Sequence, residues 1–348
     1  MIDAIAAAAH GLSHSGMAYR KISLIELNRS SALETTFALL AFIDEEALPA
    51  AFIKATSGAA RARALRCEFD NLTYLATRGS ERLRAGIPRP LYLGECSGVT
   101  LLVETARPGP RMKNLPPNSY FRSERFRRHF HCTMEWLLEF HRACADGPRA
   151  TAVTAAALEQ EIANYRHNFR VSAALDRLLG RTAERLSAAE LPSSPWHGDF
   201  CSANILLPER DRICVIDWEQ PLSRSWPLLD LLYFLSSIWC IPYRKGADRL
   251  AANYRQMFFG RHRHTELIRQ AGLRLAGELA IGRADLLPLS AAAWLVYANR
   301  KQRELSDLKG PRDAEQGETA HWPLILLEQD RCLNLELLAQ LQDDYVFS

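Results

Sequence analysis

The residues best equipped for chemistry fall in one stretch. His197-Gly198-Asp199-Phe200-Cys201-Ser202-Ala203-Asn204 leads into the apolar run Ile205-Leu206-Leu207. A polar turn, 208–212, returns the chain through Ile213-Cys214-Val215-Ile216 to Asp217-Trp218-Glu219. Two short apolar runs joined by a polar turn predict a tight hairpin. Such a hairpin sets Asn204, before the first run, beside Asp217, after the second, with Asp199 in the loop just ahead. A carboxylate and an amide oxygen are the hard ligands that Mg²⁺ takes when it bridges nucleotide phosphates. A second carboxylate can orient a hydroxyl and accept its proton. Phosphoryl transfer asks for little beyond this positioning and charge neutralisation.

The elements that must carry these groups follow from pattern. Ile22 to Leu27, Phe37 to Ile43 and Ala50 to Ala55 are apolar runs separated by turn residues, which predict an antiparallel meander. Leu65, Phe69, Leu72 and Leu75 recur at helical spacing within 59–78. Leu91-Tyr92-Leu93 and Val99 to Val103 predict two further strands across the Glu95-Cys96-Ser97-Gly98 turn. Arg107-Pro108-Gly109-Pro110 is the clearest linker in the chain. Beyond it helices dominate, over 126–144, 158–186, 226–241, 291–305 and 322–342, interrupted by the hairpin. The division expected is a nucleotide-binding lobe at 1–106, with 1–20 as a helical extension, and a helical lobe at 107–348 carrying the catalytic loop and acceptor site.

Composition sets outer bounds. The chain has 348 residues, 48% of them hydrophobic, so two lobes with substantial cores are expected. Its 43 basic and 40 acidic side chains leave a net charge of +3, too balanced to favour nucleic acid or an anionic membrane as partner. The eight cysteines form no CxxC pair, and scattered thiols of this kind are expected to be reduced in a cytoplasmic protein. The Ala-rich N-terminus carries Asp3 and lacks a basic start, so no signal peptide is expected.

The pattern His197-Gly198-Asp199, then Asn204, then Ile216-Asp217-Trp218-Glu219, resembles the aminoglycoside phosphotransferase and choline kinase family of small-molecule kinases. The resemblance implies a bilobal α+β fold like that of protein kinases, with a small antiparallel-sheet N-lobe and a large, mainly helical C-lobe in which a β-hairpin is embedded. It matches Asp199 to the catalytic-loop aspartate, Asn204 and Asp217 to the metal-binding pair, and His197 to a residue that orients or packs the loop. Pro227-Leu228-Leu229-Asp230-Leu231 is similar to a segment whose aspartate is usually structural. Upstream, Lys54 is a lone lysine in an apolar strand, where the family's lysine contacts nucleotide phosphates and pairs with a helix glutamate. Glu68, fourteen residues on, is the best partner. Glu104, Thr105 and Ala106 match the end of the last strand and the hinge, whose backbone would meet the adenine edge. The phosphate-covering turn falls at 28–36, lacks glycine, and offers Ser31 among its hydroxyls. The resemblance runs from about Ile22 to Leu235.

Taken singly these residues have plainer readings: a lysine closing a strand is commonly a surface residue, and an aspartate after a strand can cap a turn. Their joint order carries the functional expectation. That expectation is an ATP- or GTP-dependent phosphotransferase using Mg²⁺ and acting on a hydroxyl of a small molecule, such as a sugar, an amino alcohol, an antibiotic or a related metabolite. The alternative is a catalytically inactive nucleotide-binding regulator; the chain is expected to be a monomer or homodimer. Nine residues separate Asp217 from Pro227, too few for a peptide-docking activation segment. Glu219 and Asp230 are expected at the edges of the acceptor. Arg244, Lys245, Arg249, Arg255, Arg261, Arg263 and Arg269 favour a neutral or anionic acceptor over a polycation. His262 and His264 read as a solvated basic turn, and Trp239, Tyr243, Trp294 and Tyr297 as helical core rather than an acceptor-lining box.

Overall fold

A computed structural model describes residues 2–18, 20–30, 36–44, 46–115, 120, 123–144, 155–189, 191–192, 194–208, 212–222, 224–239, 254–260 and 263–308. Packing divides the chain into two units, Met1–Cys144 with His197–Leu222, and Ala145–Trp196 with Ser223–Ser348.

The first unit contains α1 (Ile2–His14), β1 (Ile22–Ser30), β2 (Thr36–Ile43), β3 (Ala51–Thr56), α2 (Ala59–Arg78), α3 (Glu81–Ala85), β4 (Pro90–Cys96), β5 (Val99–Thr105) and α4 (Glu124–Cys144), then the short hairpin β6 (Ile205–Leu206) and β7 (Cys214–Val215). The five longer strands form one antiparallel sheet in the order β1-β2-β3-β5-β4. Successive side chains on a strand face opposite sides. Ala51, Ile53 and Ala55 of β3 and Leu101 and Val103 of β5 pack with Ala7, Ala8 and Leu12 of α1, so α1 closes one face of the sheet. The fit is tight: a Cβ at Gly11 would overlap the side chains of Leu101 and Val103. Phe52 and Lys54 alternate onto the opposite face, in register with Glu104 and Leu102.

Helix α2 explains why its polar residues matter. Leu65, Glu68, Asn71, Leu72 and Leu75 are its buried positions, one stripe at helical spacing with a carboxyl and an amide placed among leucines. Helix α4 buries Trp136 and Phe140, and these rings meet Phe200 and Trp218 from the hairpin segment. Trp136 stacks on Phe200 at 5.8 Å and Phe140 meets Trp218 edge-on at 5.4 Å.

The second unit contains α5 (Ala155–Asn168), α6 (Ala173–Ser187), α7 (Leu229–Trp239), α8 (Arg263–Glu278) and α9 (Leu286–Leu308), with a two-residue strand pair, 194–195 with 224–225. The span 158–186, where one or two helices are expected, is two helices. Polar ties hold them: Asn299 on α9 donates to the Glu161 carbonyl and carboxylate of α5, at 2.7 and 2.6 Å, and Arg185 on α6 reaches Asp285 at 2.6 Å. Trp294 is buried and meets Tyr254 and Tyr297, as helical core does. His264 is not solvated as expected from its basic neighbours; it is 5% exposed on the first turn of α8. Tyr243, His262 and the helix expected at 322–342 lie outside the described residues, and the Trp239 side chain is not described. Among the described residues no single helix is long and apolar enough to cross a membrane.

Candidate active site

The site is built within the first unit. Lys54 points from β3 onto the face away from α1, and its Nζ lies 2.6 and 2.8 Å from the two carboxylate oxygens of Glu68. The same Nζ donates to Asp217 Oδ1 at 2.9 Å. Burial alone would lower the Lys54 pKa, but the Asp217 and Glu68 carboxylates outweigh it and hold the ammonium well above its ordinary range. Glu68 is pushed up by burial against the pull of Lys54, and it also accepts the Trp218 N–H at 3.1 Å. Asp217 is held below its ordinary range, chiefly by Lys54. Ammonium, helix carboxylate and the segment after β7 are thereby fixed to one another.

Asp217 adopts φ 73°, the left-handed region that costs a non-glycine residue about 1–3 kcal/mol. Asparagine and aspartate tolerate it best. The surroundings enforce it: Asn71 Nδ2 donates to the carbonyls of Trp218 and Gln220, at 2.8 and 2.7 Å, clamping the three residues that follow.

The Asp199 loop is fixed by equivalent means. Asn204 Nδ2 donates to the Asp199 carbonyl at 3.0 Å and to its carboxylate Oδ2 at 2.8 Å. Both partners are acceptors, so the amide NH₂ must face them and its oxygen is left for another donor or cation. The Ile216 N–H donates to the Asn204 carbonyl at 3.0 Å, which joins Asn204 to the strand end before Asp217. His197 Nδ1 accepts the Asp199 N–H at 3.2 Å, which requires its proton on Nε2, donated to the Ile216 carbonyl at 3.1 Å. The imidazole therefore ties the Asp199 loop to the same strand end, against the Trp218 ring at 4.4 Å.

Glu219 follows two residues after Asp217. Burial, reinforced by repulsion from Asp217, raises its carboxyl to about 7, and it meets Arg61 at 3.4 Å. A cavity of about 500 Å³ adjoins these groups, within the usual size range of small-molecule sites. Leu40, Phe52, Leu206 and Ile216 supply apolar walls, and Lys54, Glu104, Thr105, Ala106 and Asp217 also line it. The Thr105 and Ala106 N–H groups are already donated, to the carbonyls of Arg89 at 2.9 Å and Ala50 at 3.1 Å. Gly109, next along the wall, has φ 111°, and a Cβ there would come within 2.6 Å of the Leu207 backbone.

A divalent cation fits the donor set. Among the described residues no group of three or more His, Cys, Asp or Glu side chains is placed to hold a metal. The Asn204 amide oxygen and the Asp217 carboxylate are hard oxygen donors of the type Mg²⁺ takes when phosphates and water complete its shell.

The sequence model of the phosphotransferase enzyme family (APH) matches residues 42–267, well over half the chain. The chain belongs to this phosphotransferase enzyme family. Its fold is shared with spectinomycin phosphotransferase APH(9)-Ia in an AMP-bound complex, at TM-score 0.54 and 12% identity over 98% of this chain and 99% of that one. It is shared equally with macrolide 2'-phosphotransferase MphH from Brachybacterium faecium, at TM-score 0.53 and 14% identity over 94% and 97%. The phosphotransferase is thus α+β with a protein-kinase-like architecture. No curated protein matches it in sequence.

In this phosphotransferase, Lys54, Glu68, Asn204, Asp199 and Asp217 are brought together by hydrogen bonds, and Glu104, Thr105 and Ala106 line the adjoining cavity. Ser31 lies outside the described residues. Asp230, in the second unit, is 2% exposed on the first turn of α7. Of the seven basic residues noted after position 240, Arg269 is engaged by Glu266 at 2.6 Å and Arg255 is described. The other five lie outside the described residues or have undescribed side chains. Asn71 was not anticipated. Its signal was an amide one residue from Leu72, on the stripe of Leu65 and Leu75 that the helical spacing predicts to be buried.

Proposed function

We propose that this phosphotransferase moves the γ-phosphoryl group of ATP or GTP to a hydroxyl of a small molecule. One observation carries the reading: a single ammonium, Lys54, is held by Glu68 and Asp217 beside a nucleotide-sized cavity, and the hairpin partner of that segment, Asn204, holds Asp199. Asp199 serves as base. Its carboxylate orients the acceptor hydroxyl and takes the proton as the oxygen attacks. Lys54 contacts nucleotide phosphates and Glu68 keeps it in place. Asn204 and Asp217 would hold Mg²⁺, which when bound neutralises charge on the phosphates.

Residues 1–106 are assigned to the nucleotide and 107–348 to catalytic loop and acceptor, with Glu219 as an acceptor contact; Asp230, expected beside it, is buried on its helix at 2% exposure and is not available to an acceptor. The short passage from Asp217 to Pro227 favours a small acceptor over a peptide. Candidate acceptors are sugars, amino alcohols, antibiotics and related metabolites. With Arg269 engaged by Glu266, its charge no longer argues for an anionic acceptor. The test is a coupled assay of nucleotide consumption with Mg²⁺, ATP or GTP, and a panel of these hydroxyl compounds. Acceptor-dependent turnover that requires Asp199 supports the reading. A protein that binds nucleotide but shows no acceptor-dependent turnover across the panel would be a nucleotide-binding regulator instead.

A further inference from the structure

We propose that the Glu104 side chain reads the purine and selects adenine, as an uncharged carboxylic acid that accepts a hydrogen bond from the N6 amino group and donates one to N7. The inference rests on the nucleotide site proposed above and adds the residue that chooses the base.

Register places this side chain. Glu104 lies opposite Phe52 on β3, and residues directly opposite in an antiparallel pair share a face. That face carries Lys54 and turns away from α1, and Phe52, Lys54 and Glu104 all line the 500 Å³ cavity. Glu104 is 2% exposed, and its Oε2 has no hydrogen-bond partner among the described residues. A buried carboxyl left this way is costly unless a ligand meets it.

Its neighbours explain why it stays uncharged. Among the described residues Glu68 and Asp217 repel a carboxylate there, while Lys54 and Arg107 attract one. Lys54 is engaged by Glu68 and Asp217, and the Arg107 guanidinium donates to the Ile87 carbonyl at 2.6 and 3.1 Å. Burial, then Glu68, raises Glu104 to about 8, so the acid is protonated at neutral pH.

A protonated carboxyl presents one acceptor and one donor side by side. That is the pattern with which an asparagine or glutamine amide reads adenine N6 and N7. Guanine offers two acceptors on the same edge, O6 and N7, and would set the acid's carbonyl oxygen against one of them. The backbone cannot supply the donor at Thr105 and Ala106, because both N–H groups are already donated within the sheet and its margin.

The test is calorimetric binding of the non-hydrolysable β,γ-imido analogues of ATP and GTP to the full chain and to the variants Glu104→Gln and Glu104→Leu. Wild type should prefer the ATP analogue at pH 7 and lose about tenfold in its affinity by pH 9, as the protonated fraction falls through a pKa of about 8. Glu104→Gln keeps the donor–acceptor pair without a titrating proton, so it should retain the preference and show no such loss. Glu104→Leu should erode the preference by about ten- to a hundredfold. Equal pH dependence in wild type and Glu104→Gln, or an undiminished preference in a folded Glu104→Leu, overturns the assignment alone. Failure of wild type to bind either analogue overturns the nucleotide reading and this one with it.

Discussion

Replacing Asn71 by leucine tests whether the segment after Asp217 is held from α2. The change keeps the branched four-heavy-atom outline, somewhat enlarged, and removes both donors, leaving the carbonyls of Trp218 and Gln220 without the amide. The Trp218 bond is buried, so that carbonyl bears most of the loss, about 1–3 kcal/mol; Gln220 is half-buried and regains water at about 0.5–1 kcal/mol. Leucine returns about 1 kcal/mol through its own burial. The net is a destabilisation of about 2 kcal/mol, or about 4–8 °C in Tm for a unit of this size. Because the loosened residues adjoin Asp217, KM for the Mg-nucleotide should rise severalfold while kcat at saturating nucleotide changes less. A thermal melt and a nucleotide titration of Asn71→Leu read both quantities. Melting within 1 °C of wild type, with KM unchanged, would refute the clamp.

Other substitutions separate the roles. Asp199→Asn keeps the shape of the side chain but cannot take the hydroxyl proton, so transfer should fall by at least about 10²-fold while nucleotide affinity changes little; undiminished turnover would remove Asp199 as base. Asp217→Ala should weaken Mg-nucleotide binding and activity together while metal-free nucleotide binds about as before, which parallel titrations with and without Mg²⁺ would show. Gly109→Ala should cost at least about 2 kcal/mol, since its φ of 111° disfavours a side chain and the Leu207 backbone fills the space; urea denaturation measures it.

The five-stranded sheet and α2 were legible because each element is short and strongly patterned, and the hairpin because its polar residues sit at the two ends of apolar runs. Lys54 and Glu68 were legible for a related reason: each is a charge in an otherwise apolar neighbourhood. What escaped is tertiary. Nothing local says that α1 covers the sheet, a contact that pairs residues 7–12 with residues 99–103. The side chain of Glu104 looked like a strand end in sequence, and only the register with Phe52 turns it into the cavity. Asp230 and Glu219 look alike as isolated acids, yet one is buried on a helix turn and the other is poised near neutrality beside Asp217. His264 illustrates the opposite error, since a run of basic neighbours gave no hint that one ring turns inward.

The first unit is assembled from two stretches of chain with residues 145–196 between them. Its decisive contacts are correspondingly remote: 147 and 149 positions for the Asn71 bonds and 163 for Lys54 with Asp217. Closing such intervals raises contact order and slows folding. During synthesis, at about 5–20 residues per second, the sheet, α2 and α4 emerge seconds before Phe200 and Trp218. Through that interval the Trp136 and Phe140 rings lack their contacts with Phe200 and Trp218, and the Lys54–Glu68 pair lacks its third member. A chain interrupted before residue 217 can therefore build the sheet that walls the cavity without completing the site beside it. It would also display a sticky aromatic surface of the kind that chaperones recognise. Completion of the reactive centre and concealment of that surface are one folding event.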